Sequence, residues 1–193
     1  MPKLGMFARV IKGGEIKVND EIKVVDNPHR LTAAVITLSD KGYKGEREDV
    51  SGPLLVKALK EKGYQVEEYK ILPDEKELLK NELINLADRR DISLVLTTGG
   101  TGFSHRDVTP EATKEVIERD APGISEAIRY ESLKFTPKAM LSRGVSGIRN
   151  KSLIINLPGS PKAVKESLDV FIDVVDHALK LLRGEDGECA RKD

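Results

Sequence analysis

A buried strand that runs directly into a glycine loop and then into a helix constrains this chain more than any other feature. Ile92, Ser93, Leu94, Val95 and Leu96 form a short apolar run rich in branched side chains, and TTGGTGFSHRDVTPEAT follows at 97–113. A run of this length bounded by glycines reads as a strand buried on both faces. Strands of that kind belong to parallel sheets covered by helices. Gly99, Gly100 and Gly102 permit positive φ and a close approach of main-chain N–H groups to a ligand, and Thr97, Thr98 and Thr101 add hydroxyls. Thr109 followed by Pro110 reads as an N-cap and first helical residue, which brings the positive end of a helix dipole near the loop. This combination suits an anion, most often phosphate, although the spacing matches neither the P-loop nor the dinucleotide fingerprint. The plain alternative is a tight strand-to-helix turn.

The rest of the chain repeats the alternation. LTAAVITL at 31–38 is a second continuous apolar strand, and a polar loop, SDKGYKGEREDVSGP, leaves its carboxyl end. Ser51 is placed to cap the next helix and Gly63 to stop it; QVEEYKIL at 65–72 has the mixed pattern of an edge strand. Asp74 and Glu77 form a capping-box pattern before a helix carrying Leu79, Leu83, Leu86 and Ala87. A helix from 110 to about 119 and another from Pro122 come next, then a short helical turn and a strand within 136–150. Asn150 and Lys151 turn the chain into SLIINL at 152–157. That strand ends in Asn156-Leu157-Pro158-Gly159-Ser160-Pro161, with Ser160 as N-cap of a long final helix whose wide apolar face is either deeply packed or covered by another subunit. The pattern predicts a three-layer α/β/α fold around a mostly parallel sheet. Loops 39–51, 97–109 and 156–161 all leave strand carboxyl ends and should meet on one rim.

Ahead of this lies GMFARVIKGGEIKVNDEIKVV at 5–25, whose alternation about Gly13 and Gly14 predicts an N-terminal β-hairpin. The expected organisation is a hairpin appendage with linker at 1–28, one domain at 29–184 and a polar tail at 185–193. Lys plus Arg and Asp plus Glu number 32 each, so no global field recruits nucleic acid or an anionic membrane. No apolar run reaches the length of a membrane span. The single cysteine, Cys189, excludes an internal disulfide framework and fits the cytoplasm.

Asp40, Asp74 and Asp107 each follow a predicted strand. Carboxylates gathered at a phosphate site repel the ligand unless a cation lies between them, which argues for Mg²⁺ and for phosphoryl or nucleotidyl transfer. Asp74 is equally well read as an N-cap and Asp40 as a turn residue, whereas Asp107 has no capping task if Thr109 is the cap. Arg106, and His105 beside it, add positive charge to the loop. Arg143 and Lys162 are open between solvated surface and phosphate contact. His29, His105 and His177 lack metal-ligand spacing.

Taken with LSD at 38–40, DVSGP at 49–53, LPDE at 72–75, AMLSRGVSGIRN at 139–150 and IINLPGSPKAV at 154–164, the glycine loop resembles the molybdopterin-binding domain, and within it the molybdopterin adenylyltransferases of molybdenum cofactor biosynthesis. The match runs in order from about residue 31 to 184. The resemblance implies Mg²⁺-dependent transfer of the adenylyl group of ATP to molybdopterin. It assigns Asp107 and Asp74 as the catalytic acidic residues and metal ligands, and Thr98, Gly99, Gly100, Thr101, Gly102 and Arg106 to the phosphate loop. Ser39, Asp40, Pro158, Gly159 and Ser160 fall on loops lining the same pocket. It also implies a homotrimer and a molybdate-insertion partner protein. A non-catalytic pterin carrier is the alternative. FARVIKGGEIKVNDEI resembles the closing strands of a molybdenum cofactor sulfurase C-terminal domain, without the rest of that domain.

Overall fold

The computed structural model describes residues 31–184; the predicted N-terminal hairpin and the polar tail lie outside them. Six strands form one sheet: β1 (Thr32–Leu38), β2 (Gln65–Leu72), β3 (Leu94–Thr98), β4 (Arg119–Asp120), β5 (Ser146–Arg149) and β6 (Ser152–Leu157), in the order β2-β1-β3-β6-β5-β4. The pairs β1–β2, β1–β3 and β3–β6 are parallel, while β5–β6 and β4–β5 are antiparallel. The predicted turn at Asn150 and Lys151 makes β5–β6 a hairpin, with Asn150 at φ 53°. QVEEYKIL is the edge strand β2, and its half-exposed pattern has that cause.

The helices are α1 (Asp40–Tyr43), α2 (Ser51–Glu61), α3 (Lys76–Ile84), α4 (Thr109–Val116), α5 (Pro122–Ser132) and α6 (Pro161–Arg183). A π-helical turn, Asn85–Arg89, extends α3, and a 3₁₀ turn spans Pro137–Leu141. Period-two alternation sorts each central strand between two cores. Ala33, Val35, Leu94, Leu96, Leu153 and Ile155 pack with Leu55, Phe171 and Val175 of α2 and α6. Ala34, Ile36, Val95 and Ile154 pack on the other side with Leu79, Leu83 and Ala112 of α3 and α4. Burial on both faces is why these strands read as unbroken apolar runs.

Several local expectations are corrected. The loop after β1 begins with the short helix α1, capped by the Ser39 hydroxyl accepting from the Gly42 N–H at 3.0 Å. Ser51 does not cap α2. The Asp49 carboxylate accepts from the Ser51 and Gly52 N–H groups at 3.0 and 3.1 Å, which leaves the Ser51 hydroxyl to donate to the Gly159 carbonyl at 2.8 Å. Thr109 is the first residue of α4 and its hydroxyl donates back to the Gly99 carbonyl at 2.9 Å. The capping box at Asp74 and Glu77 does not form, because the Asp74 carboxylate turns to the Asp40 N–H. α4 ends at Val116, and Arg119–Asp120 joins the sheet as β4, which pattern reading missed in so short a strand. Ser160 does cap α6, and Gly184 ends it in the left-handed conformation.

α6 buries Val164, Leu168, Phe171, Ile172, Val175 and Leu179 in its own domain. Val174 and Leu181 face outward, 64% and 43% exposed. No helix of the described residues is long and apolar enough to cross a membrane.

Candidate active site

Every parallel strand delivers its carboxyl end to the same edge of the sheet, so the loops after β1, β3 and β6 converge as expected. They enclose a cavity of about 570 Å³. Ser39, Asp74, Thr98, Gly99, Gly100, Asp107, Gly159 and Ser160 line it together, bringing most of the predicted site residues into one space. Asp40 and Arg106 are not part of this lining, and Thr101, Gly102 and Pro158 line a separate pocket.

The glycine loop sits where it does because its residues meet other backbone closely. Gly99 has φ +97°, and a Cβ there would lie 2.4 Å from the Leu38 carbonyl oxygen. Gly159 approaches from the β6 loop, its own Cβ position 3.3 Å from the Gly99 Cα. Three loops therefore touch at Gly99. The threonines brace this contact: Thr98 donates to the Pro158 carbonyl at 2.7 Å, and the buried Asn156 amide donates to the Thr97 and Thr113 hydroxyls at 3.0 and 2.9 Å. Expected as ligand donors, the hydroxyls of Thr97 and Thr98 serve the scaffold.

Asp40 and Asp74 lock two loops reciprocally. The Asp40 N–H donates to the Asp74 carboxylate and the Asp74 N–H to the Asp40 carboxylate, each at 3.0 Å. Arg106 grips the outer side of Asp40 with two nitrogens, at 2.8 to 3.0 Å. That guanidinium holds the Asp40 carboxyl below the usual carboxylate range, helped by the bond from the Asp74 main chain. Burial pushes the Asp74 carboxyl up. The Asp40 N–H opposes the rise, and the negative fields of Asp40 and Asp107 add to it. Asp107 accepts from the Ser104 N–H at 2.8 Å and so closes the turn 104–107.

One contributor escaped sequence reasoning, and a second was left open by it. Asp49 lines the cavity, and its carboxylate also accepts from Thr37 at 2.5 Å and Tyr69 at 2.7 Å. Burial and this bond to Asp49 raise the Tyr69 phenol well above its ordinary value. Arg143, left open above, clasps the outer loop: Nε donates to the Gly102 carbonyl at 2.6 Å, a terminal nitrogen donates to the Asp107 carbonyl, and the other pairs with Glu111. Only the long-range position of a lone arginine could have signalled it. Lys162 is solvated, 3.9 Å from Glu166.

Chemically, the cavity offers main chain, hydroxyls and carboxylates. Asp49, Asp74, Asp107 and Glu48 outnumber the one guanidinium, Arg47, at its wall. The amino ends of α2 and α6 reach it through Ser51 and Pro161, and such ends favour anions. Among the described residues no three His, Cys, Asp or Glu side chains gather as a metal cluster.

Known proteins share this sequence and architecture. The chain is 45% identical over 152 residues to the molybdopterin adenylyltransferase of Helicobacter pylori J99, covering 78% of this chain and 86% of that one. It is 43% identical to the Drosophila melanogaster molybdenum cofactor synthesis protein cinnamon, spanning 84% of this chain but 27% of that longer protein. The molybdopterin biosynthesis enzyme MoaB of Thermus thermophilus superposes with a TM-score of 0.76 at 44% identity, over 82% of this chain and 99% of that one. Residues 34–177 match the family described as "Probable molybdopterin binding domain", and with three quarters of its length inside that match this chain belongs to the family.

Proposed function

We propose that this protein is a molybdopterin adenylyltransferase of molybdenum cofactor biosynthesis. One observation carries the reading: the Asp74 and Asp107 carboxylates, from two different strand ends, line one cavity with Gly99 and Gly100. In the reaction an oxygen of the terminal phosphate of molybdopterin attacks the α-phosphorus of ATP. An O–P bond forms, the bond from the α-phosphorus to the bridging oxygen breaks, and pyrophosphate leaves with the electron pair. No protein nucleophile is needed, so positioning and charge dominate. The backbone of 98–102, with Arg106 behind it, receives phosphate. Ser39, Asp40, Pro158, Gly159 and Ser160 fix the surrounding walls.

Mg²⁺ fits the donor set. Four wall carboxylates against one guanidinium repel a polyphosphate unless a cation accompanies it. All these donors are oxygens, and Mg²⁺ takes one or two carboxylates together with substrate phosphates. Asp74 and Asp107 would hold it. When bound, the ion neutralises charge on the phosphate oxygens as it grows. Asp40, gripped by Arg106, orders the loop instead.

The same reading includes a cytoplasmic homotrimer, supported by the outward Val174 and Leu181 of α6, and a molybdate-insertion protein that takes the product. The test is incubation of the purified protein with molybdopterin, ATP and Mg²⁺, following pyrophosphate and the mass of the pterin product. Adenylylated pterin with stoichiometric pyrophosphate is expected, and Asp107→Ala should abolish both while remaining folded. Retained pterin beside intact ATP, in folded wild-type protein, would instead indicate a carrier.

A further inference from the structure

One outer wall of the main cavity is made by the loop 44–50, and a single side chain ties it down. Arg47, Glu48 and Val50 line the cavity yet are exposed, while Asp49 among them is half-buried. The Glu46 N–H donates to the Lys41 carbonyl at 2.9 Å, and the Val50 carbonyl accepts from the Leu54 N–H at 3.3 Å. For the stretch between, the hydrogen bonds to other described residues are those of the Asp49 carboxylate. One of its oxygens takes the Ser51 and Gly52 N–H groups of α2, and the other takes the Thr37 and Tyr69 hydroxyls. Both oxygens are thereby filled, so Asp49 anchors the wall and is not a donor to a ligand.

Tyr69 reaches this anchor from the edge of the sheet. It lies in β2 opposite Val35, and Thr37 lies two residues further along β1, so the two side chains share one face as a diagonal cross-strand pair. A Cβ at Gly52 would overlap the Tyr69 ring, the Asp49 carboxylate and the Thr37 hydroxyl at once, which shows how tightly the three close over the first turn of α2. Thr37 is buried, whereas Tyr69 is 38% exposed, so the phenol is the bond that holds the anchor from the solvent side. The loop held in this way presents Arg47, the one guanidinium at a wall that also carries Glu48, Asp49, Asp74 and Asp107. A lone cation there attracts the more anionic of two substrates more strongly.

We propose that Tyr69 is a positioning residue for the nucleotide: bonded to Asp49, it keeps the loop 44–50 against the sheet and so keeps Arg47 facing the triphosphate. The inference rests on the adenylyltransferase reading, which supplies ATP as the more highly charged substrate. Tyr69 is not part of the cavity lining, and its effect passes through Asp49 and the loop.

The full chain is compared as wild type, Tyr69→Phe, Arg47→Ala and the double variant. Tyr69→Phe keeps the ring over Gly52 and removes only the hydroxyl. ATP with Mg²⁺ is titrated by calorimetry, and trypsin cleavage after Lys44 and Arg47 is followed by mass in the wild type and in Tyr69→Phe. Tyr69→Phe should weaken ATP binding about 3- to 10-fold and speed cleavage in the loop by a similar factor. The KM for ATP should rise alike, while kcat stays within about twofold. In the Arg47→Ala background, loss of the Tyr69 hydroxyl should change ATP affinity little further, because the loop carries the coupling. Unchanged cleavage and ATP affinity in Tyr69→Phe, losses that multiply in the double variant, weakened molybdopterin in place of ATP, or no ATP binding by the wild type overturns the assignment. Faster cleavage and weaker, Arg47-dependent ATP binding without any pyrophosphate release would uphold the role of Tyr69 and sink the adenylyltransferase reading. Wild-type turnover with a KM for ATP indifferent to Tyr69→Phe would sink the role of Tyr69 alone.

Discussion

Gly99 and Gly63 provide a controlled comparison, because both adopt positive φ, +97° and +90°, yet sit in different surroundings. At Gly63 a Cβ would meet nothing within 4 Å; at Gly99 it would lie 2.4 Å from the carbonyl oxygen of Leu38. Gly63→Ala therefore costs the left-handed backbone strain alone, about 1–2 kcal/mol. Gly99→Ala carries that strain and an overlap with the main chain of a central strand, which has no rotamer to relieve it. Overpacking of this kind adds about 1–3 kcal/mol. For a domain of this size each kcal/mol lowers the melting temperature by roughly 2–4 °C, so Gly99→Ala should melt about 2–12 °C below Gly63→Ala. Differential scanning calorimetry of the two variants, with pyrophosphate release measured beside it, tests both halves. Gly63→Ala should keep wild-type turnover and Gly99→Ala should lose it, since the loop must shift away from Leu38. Equal melting temperatures would show that the three loops do not meet as tightly as the Leu38–Gly99 approach requires.

Arg143→Ala frees the carbonyls of Gly102 and Asp107 and should lower kcat by about tenfold to a hundredfold through misplacement of the Asp107 turn. Arg143→Lys, which has no fork to span both carbonyls, should rescue little of it, and a wild-type kcat in either variant would refute the clasp. Glu115 on α4 is held at about 2 by bonds from Lys76 and Lys80 of α3. A carboxyl depressed in the folded state stabilises above its unfolded value, near 4.5, and that contribution disappears as pH falls toward 2. Urea titrations from pH 5 to 2 should show Glu115→Gln losing less stability on acidification than wild type, with the gap closing at high salt; parallel curves would dismiss the pair.

What the sequence disclosed was whatever one strand or one helix decides by itself. β1, β3 and β6 declared themselves because each is buried on both faces, and α6 because its cap, its stripe and Gly184 are all local. The shared rim followed from topology. Partners across long separations stayed hidden. Ser51, Thr109 and Asp74 each have the chemistry of an N-cap, and each sits where a cap belongs, yet each is drawn elsewhere: Ser51 to Gly159 and Asp74 to Asp40 on neighbouring loops, and Thr109 to Gly99 at the start of its own loop. Asp49 capped α2 in place of Ser51 because it also collects Thr37 and Tyr69 from two strands, which no window along the chain can reveal.

These diversions have a common consequence for the chemistry. A hydroxyl used to tie the loops together is withdrawn from the ligand, whereas Asp74 braces Asp40 and still lines the cavity, and in exchange the main chain at Gly99 and Gly159 is held still at the cavity wall. In the proposed reaction, binding of a phosphate chain would then depend on fixed backbone dipoles and on whatever offsets the wall carboxylates, and little on side chains that must first be ordered. Preorganised donors of this kind cost no reorganisation as charge develops. The glycines of this loop therefore contribute through their positions and not through looseness, and the threonines beside them act by keeping those positions.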